Sequence, residues 1–173
     1  MENDDFIERL CNKEIAQHDQ REAGTHARQN QQEVNAKIQA NARSAFDQLH
    51  DIAHQLTADA NSRLEHNRFD VFPAAGGFCI KLGRFMAGFS YAPPLIANMG
   101  TISMNVYLQE LDSNFAALGF ADEPEPAPPR RLRFEPAWDD EVGAVLWSPD
   151  RVTFLSGKEL VQEVMEQLIT SAG

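Results

Sequence analysis

Two cysteines, Cys11 and Cys79, are all that this 173-residue chain carries. They lie in segments of different type and form no CxxC pair or zinc knuckle. A disulfide framework or structural zinc is therefore not what holds the fold, and a chain this long can bury an apolar core without either. A reduced, intracellular setting is the expectation. No stretch approaches the ~20 apolar residues of a membrane span. The opening Met-Glu-Asn-Asp-Asp lacks the basic start and apolar run of a secretory signal. A cytoplasmic protein without a membrane partner is expected.

Basic charge is also scarce. Net charge is −11, from 15 Lys and Arg against 26 Asp and Glu. Residues 1–66 carry 7 basic and 12 acidic groups, residues 67–121 carry 3 and 3, and residues 122–150 carry 3 and 8. The middle of the chain is neutral and the acid lies at its borders. Arg130, Arg131 and Arg133 form a small basic patch beside acidic residues. A nucleic-acid binder needs a basic stripe, and an anionic membrane surface needs one too, so neither partner is expected.

What is present is a switch of periodicity near residue 66. Residues 3–22 place Phe6, Ile7 and Leu10 on one helical face. Gly24-Thr25 suits either a helix end with a new N-cap or an uninterrupted helix. From 26 to 65 there is no Pro or Gly, and strong helix formers dominate. Val34, Ile38, Ala45, Leu49, Leu56 and Ala60 follow steps of 4, 7, 4, 7 and 4, with Ala42, Ile52 and Leu64 in the intervening turns. This is nearer an 11-residue than a 7-residue repeat, with about 3.67 residues per turn, which favours a straight or slightly right-handed arrangement over a left-handed coiled coil. Over 40 residues the helix would span ~60 Å. The Gln-, Asn- and Ala-rich stretch 27–44 reads as a solvated part of it.

After residue 66 the apolar residues alternate at strand spacing. Phe69 and Val71 open a strand, and Pro73 with Gly76-Gly77 marks a turn. Phe78, Ile80 and Leu82 share one strand face, and Phe85, Ala87, Phe89 and Tyr91 continue it. Gly83 and Gly88 are expected at a bulge or bend. Ile102, Met104, Val106 and Leu108 give the clearest alternation, that of a half-buried antiparallel strand. Four prolines between 124 and 129 make 122–131 an extended, exposed connection. Leu132–Trp138, Val142–Trp147 and Val152–Leu155 follow as strands of a meander. Ser156 and Glu159 form a capping box for a final helix, with Leu160, Val161, Val164, Met165, Leu168 and Ile169 on its buried face.

The fold expected is α+β. A helical arm over 1–66 precedes an antiparallel sheet of five or six strands over 67–173, with the C-terminal helix packed on the sheet.

Reactive motifs are absent. There is no Walker loop, dinucleotide fingerprint, nucleophile elbow or HExxH sequence. Neither a cofactor nor a metal is expected. The single metal-ligand spacing is His50 and His54, four apart on the helix, with Asp47 and Asp51 beside them. Relative to the stripe Ala45, Leu49, Ile52 and Leu56, these histidines rotate ~140° and ~180° away from Ala45, as surface groups do. His18, His26 and His66 do not complete a site. Asp139, Asp140 and Glu141 read as a solvated turn. Alternation puts Cys79 on the outward side of its strand, a free inert thiol. Trp138 and Trp147 read as core or interface.

Without catalytic motifs, the long helix carries the functional expectation. It exceeds what a small sheet can cover, since a six-residue strand spans only ~20 Å. A non-enzymatic interaction module follows, a homo-oligomer with a dimer favoured. Val34, Ile38, Ala45, Leu49, Ile52 and Leu56 would form its interface, and a further protein partner with basic charge would suit the acidic borders. The alternative is a small-molecule or catalytic domain, with a pocket beneath the C-terminal helix lined by Tyr91, Tyr107, Trp138 or Trp147.

Overall fold

A computed structural model describes residues 2–65, 68–94, 101–111 and 129–172, with side chains from position 13 onward. Residues 122–128 of the proline-rich connection, His66, and the side chains of Phe6, Ile7, Leu10 and Cys11 lie outside the described set. The architecture is α+β: a long helix α1 (Glu2–Asn61), then β1 (Phe69–Ala74), β2 (Gly77–Leu82), β3 (Phe85–Ala92), β4 (Ser103–Glu110), β5 (Arg130–Asp139), β6 (Ala144–Ser148) and helix α2 (Gly157–Ala172). No helix among the described residues is long and apolar enough to cross a membrane.

α1 runs unbroken through Gly24, and the Thr25 hydroxyl donates to the Arg21 carbonyl at 2.9 Å within the helix. Thr25 is thus an interior residue and not an N-cap. The helix stops at Asn61, four residues short of the expected end. There the Asn61 side-chain amide donates to the Phe69 carbonyl at 2.8 Å and accepts from the Phe69 amide at 2.7 Å. One side chain therefore satisfies both backbone groups of the first strand residue.

The chain divides into two compact units, one ending at Lys37 and the other starting at Ile38. The first is helix alone. Its described side chains are exposed apart from half-buried Val34, and its local pairs are of the i,i+4 kind, such as Gln31 with Asn35 at 3.0 Å.

The second unit contains the rest of α1, the sheet and α2. The six strands form one antiparallel sheet in sequence order, each paired to the next. Gly83 has a φ of +58° and opens the tight turn between β2 and β3, where a glycine at the first central position suits a type II′ hairpin. Neither Gly83 nor Gly88 makes a bulge: Gly88 stays in register between Cys79 and Tyr107. Pro73 lies inside β1 and not in a turn, which an edge strand tolerates.

The expected strand at Val152–Leu155 is reduced to a single bridge between Trp147 and Leu155. Asp150 explains this. Its carboxylate accepts from the Val152 and Thr153 amides at 2.9 and 2.6 Å, so those donors are spent locally. Val142, expected in a strand, sits in the β5–β6 turn. That turn closes on Asp139, whose carboxylate accepts from the Glu141 and Val142 amides.

The core covers one sheet face. Phe78, Ile80, Leu82, Ala87, Phe89, Met104, Val106, Phe134, Val145 and Trp147 supply it from the strands. Leu160, Val161, Val164, Met165 and Leu168 of α2 pack on it, while Ile169 is 51% exposed, contrary to expectation. The capping box holds: the Ser156 amide donates to Glu159 Oε2 at 2.8 Å and the Glu159 amide to Ser156 Oγ at 3.3 Å. The Ser156 amide, and in second place its hydroxyl at 2.7 Å, donate to the Glu159 carboxylate and keep that group below its ordinary pKa.

α1 contributes Ala42, Phe46, Leu49, Ala53 and Thr57 as fully buried positions. Gly157 lets the start of α2 approach this helix, because a Cβ there would lie 2.8 Å from Leu49 Cδ2. Phe46 is the largest buried side chain of α1, and truncating a buried Phe typically costs about 3–5 kcal/mol. Phe46→Ala should lower the stability of the full chain by that amount in urea titration. A loss within experimental error would mean that α1 is not part of the sheet's core.

Candidate functional site

The described residues offer one place where aromatic, cationic and imidazole groups meet at the surface. It is built from the second half of α1 and the β1–β2 turn. Phe46 packs its ring 6.1 Å from Phe78 and 5.5 Å from Tyr91, and Phe78 stacks on Phe89 at 4.5 Å. The closeness of helix and hairpin depends on Gly77, since a Cβ there would overlap the Phe89 carbonyl and meet the Phe46 ring. Beside this stack lies an open cleft of about 400 Å³, with Arg43, Asp47, His50 and Pro73 among its lining residues.

Arg43 forms the cationic wall. Its guanidinium lies 5.2 Å over the Tyr91 ring and pairs with Asp47 at 3.1 Å, both partners being well exposed. Such a pair adds little stability, but the ring contact fixes where the charge sits. Burial raises the Tyr91 hydroxyl above its ordinary pKa, against a smaller lowering from Arg43. Tyr91 is therefore a neutral phenol at physiological pH.

His50 and His54 come together here. Their Nε2 atoms are 3.2 Å apart and their rings meet edge to face. His50 is half-buried, with its ring 5.3 Å from Phe78, whereas His54 is exposed. The expectation of two histidines turned well away from the core fails for His50. The buried stripe is centred on Phe46, Leu49 and Ala53, roughly 70° round the helix from the stripe read in the sequence at ~100° per residue. His50, one turn after Phe46, falls on its flank. Of the neighbouring acids, Asp47 is held by Arg43, and Asp51 Oδ1 lies 3.9 Å from His50 Nδ1.

The remaining candidates are dispersed. Leu49 is fully buried in the chain's own core, with Ala45, Ile52 and Leu56 packed against it. Val34 and Ile38 are half-buried. Trp147 is a core residue, and Trp138 donates from Nε1 to Asp140 at 2.9 Å. The space beneath α2, where the alternative reading puts a pocket, holds the packed side chains of Leu160, Val161, Val164 and Leu168. Tyr107 lies on the other sheet face, where Arg131 stacks over it at 5.7 Å and donates to Asn105 Oδ1 at 3.0 and 2.8 Å.

Sequence reasoning missed Phe46 and Arg43. The signal for Phe46 was available: it is the only aromatic residue between 26 and 65, three before Leu49 and seven before Ala53. Arg43 carried no signal, because its position depends on Tyr91, 48 residues away in sequence.

Compared with known proteins, the chain matches no family model, no curated protein and no solved structure.

Cys79 corrects another expectation. It is only 6% exposed although it lies opposite the Phe78–Ile80 face, and burial pushes its thiol pKa up. A buried neutral thiol is a poor nucleophile. In the native chain, Cys79 should therefore alkylate at pH 8 at least tenfold more slowly than in urea, as read by peptide mass mapping. Equal rates would show that this sheet face is open.

Proposed function

We propose that the chain is a non-enzymatic interaction and assembly module that self-associates through its long helix, with a dimer as the favoured form. The supporting observation is one helical stripe in two settings. Ala45, Leu49, Leu56 and Ala60 lie against the chain's own core. The same steps of 7 and 4 continue backward through Ile38, Val34, Ala27 and Ala23. In sequence, these positions hold the same 11-residue spacing.

Among the described residues of the unit ending at Lys37, every side chain but half-buried Val34 is exposed, Ala23 and Ala27 included. A largely polar helix draws its stability from i,i+4 pairs or from a partner, because intrinsic propensity alone leaves isolated helices marginal. A second copy presents the same stripe, and small residues at Ala23 and Ala27 permit close approach. Charge is balanced over residues 13–37, with four basic groups (Lys13, Arg21, Arg28, Lys37) and four acidic ones (Glu14, Asp19, Glu22, Glu33), while residues 1–12 add Arg9 against Glu2, Asp4, Asp5 and Glu8. The interface of this proposal is narrower than the six residues read from the sequence. Val34 and Ile38 carry it, while Leu49 is committed to the core.

Sedimentation velocity over a range of concentrations tests the reading. The wild-type mass should rise with concentration. Val34→Glu should weaken association at least tenfold, about 1.4 kcal/mol, with the melting of the sheet unchanged. A wild-type monomer at high micromolar concentration, or a V34E chain that associates equally well, contradicts it.

A further inference from the structure

The His50–His54 pair is left unused by self-association, and its geometry is specific. The two Nε2 atoms lie 3.2 Å apart on consecutive turns of α1. As a hydrogen bond, this needs one ring to carry its proton on Nε2 and the other to accept. Two imidazole nitrogens bound to one cation at ~2.0–2.1 Å, with angles between octahedral and tetrahedral, sit roughly 2.9–3.4 Å apart. The observed spacing already lies in that range.

The surroundings suit the same use. His50 is braced by the Phe78 ring at 5.3 Å, so one ligand is positioned before any cation arrives. Its Nδ1 faces Asp51 Oδ1 at 3.9 Å. A histidine bound through Nε2 keeps its proton on Nδ1, and a carboxylate on that side favours that tautomer. His54 is exposed and gives access from solvent. Among the described residues no third His, Cys, Asp or Glu joins the pair, so the protein supplies two ligands and water the rest.

The geometry points to a two-imidazole chelate at His50 and His54 for a divalent transition-metal cation of the zinc, nickel and copper class. Imidazole nitrogen selects these ions, whereas calcium and magnesium require oxygen ligands. On binding, the cation replaces the N–H···N bond. The donor ring's proton moves from Nε2 to Nδ1, with no net proton released. The site is complete within one chain and does not depend on self-association.

Calorimetric titration of the full chain with Zn²⁺, and with Mg²⁺ as control, tests the assignment. One Zn²⁺ per chain should bind at this pair and Mg²⁺ should not. His54→Ala, at an exposed position, should weaken zinc binding at least tenfold with helix content unchanged by circular dichroism, whereas His26→Ala should have no effect. In ¹⁵N spectra of the imidazoles, zinc should shift Nε2 of both His50 and His54. Equal zinc affinity in wild type and H54A, or no zinc binding at millimolar concentration, overturns the proposal.

Discussion

The sheet-bearing unit depends on covering one apolar face of a six-stranded meander. Six sequential strands expose a continuous row of Phe, Ile, Leu, Met and Val side chains on one side, and α2 alone does not cover it. The second half of α1 closes the remainder. Phe46 between Phe78 and Tyr91 is the central contact of that closure. Each large apolar side chain buried this way contributes about 1.5–3 kcal/mol. Gly77 and Gly157 are the backbone consequences, since each sits where a Cβ would strike the sheet or α1. The amide pair between Asn61 and Phe69 then fixes where the chain leaves the helix and enters the sheet.

The same constraint distinguishes the two parts of α1. An 11-residue repeat, at about 3.67 residues per turn, is the spacing that suits straight packing. Where the sheet lies against α1, Leu49 of that repeat is buried beside Phe46, with Ile52 and Leu56 packed against the same core. Towards the N-terminus the stripe thins to alanine and valine, and polar side chains take most positions. Under the proposed self-association, that thinning is where the stripe would pass from the chain's own core to a second copy. The imidazole pair sits on the flank of the core stripe, where one ring is braced by an aromatic neighbour and the other faces water.

Much of the fold was legible because local signals agreed with one another. The Ser156–Glu159 capping box, the alternation of Ile102 to Leu108 and the hairpin ending at Trp147 each carry their own chemistry. Legibility failed where long-range contacts decide. The helix face was misplaced because the sequence weighted Ala45 and Ile52 over Phe46, and only the opposing Phe78 and Tyr91 show which stripe is central. Asp150 removed a strand by taking two amides that a sheet would need. Cys79 is buried on a face that simple alternation assigns to solvent. For the site, the spacing of His50 and His54 was visible, but its relation to Phe78 and the cleft depends on the β1–β2 turn.

Hydrogen exchange on the full chain, resolved by peptide, tests the central claim most directly. If α1 belongs to the sheet's core from Ala42 onward, amides of 42–60 should exchange only with global unfolding, at the same rate as those of β2 to β4. Exchange of residues 42–60 as fast as that of 13–37, while the strands remain protected, would contradict the account.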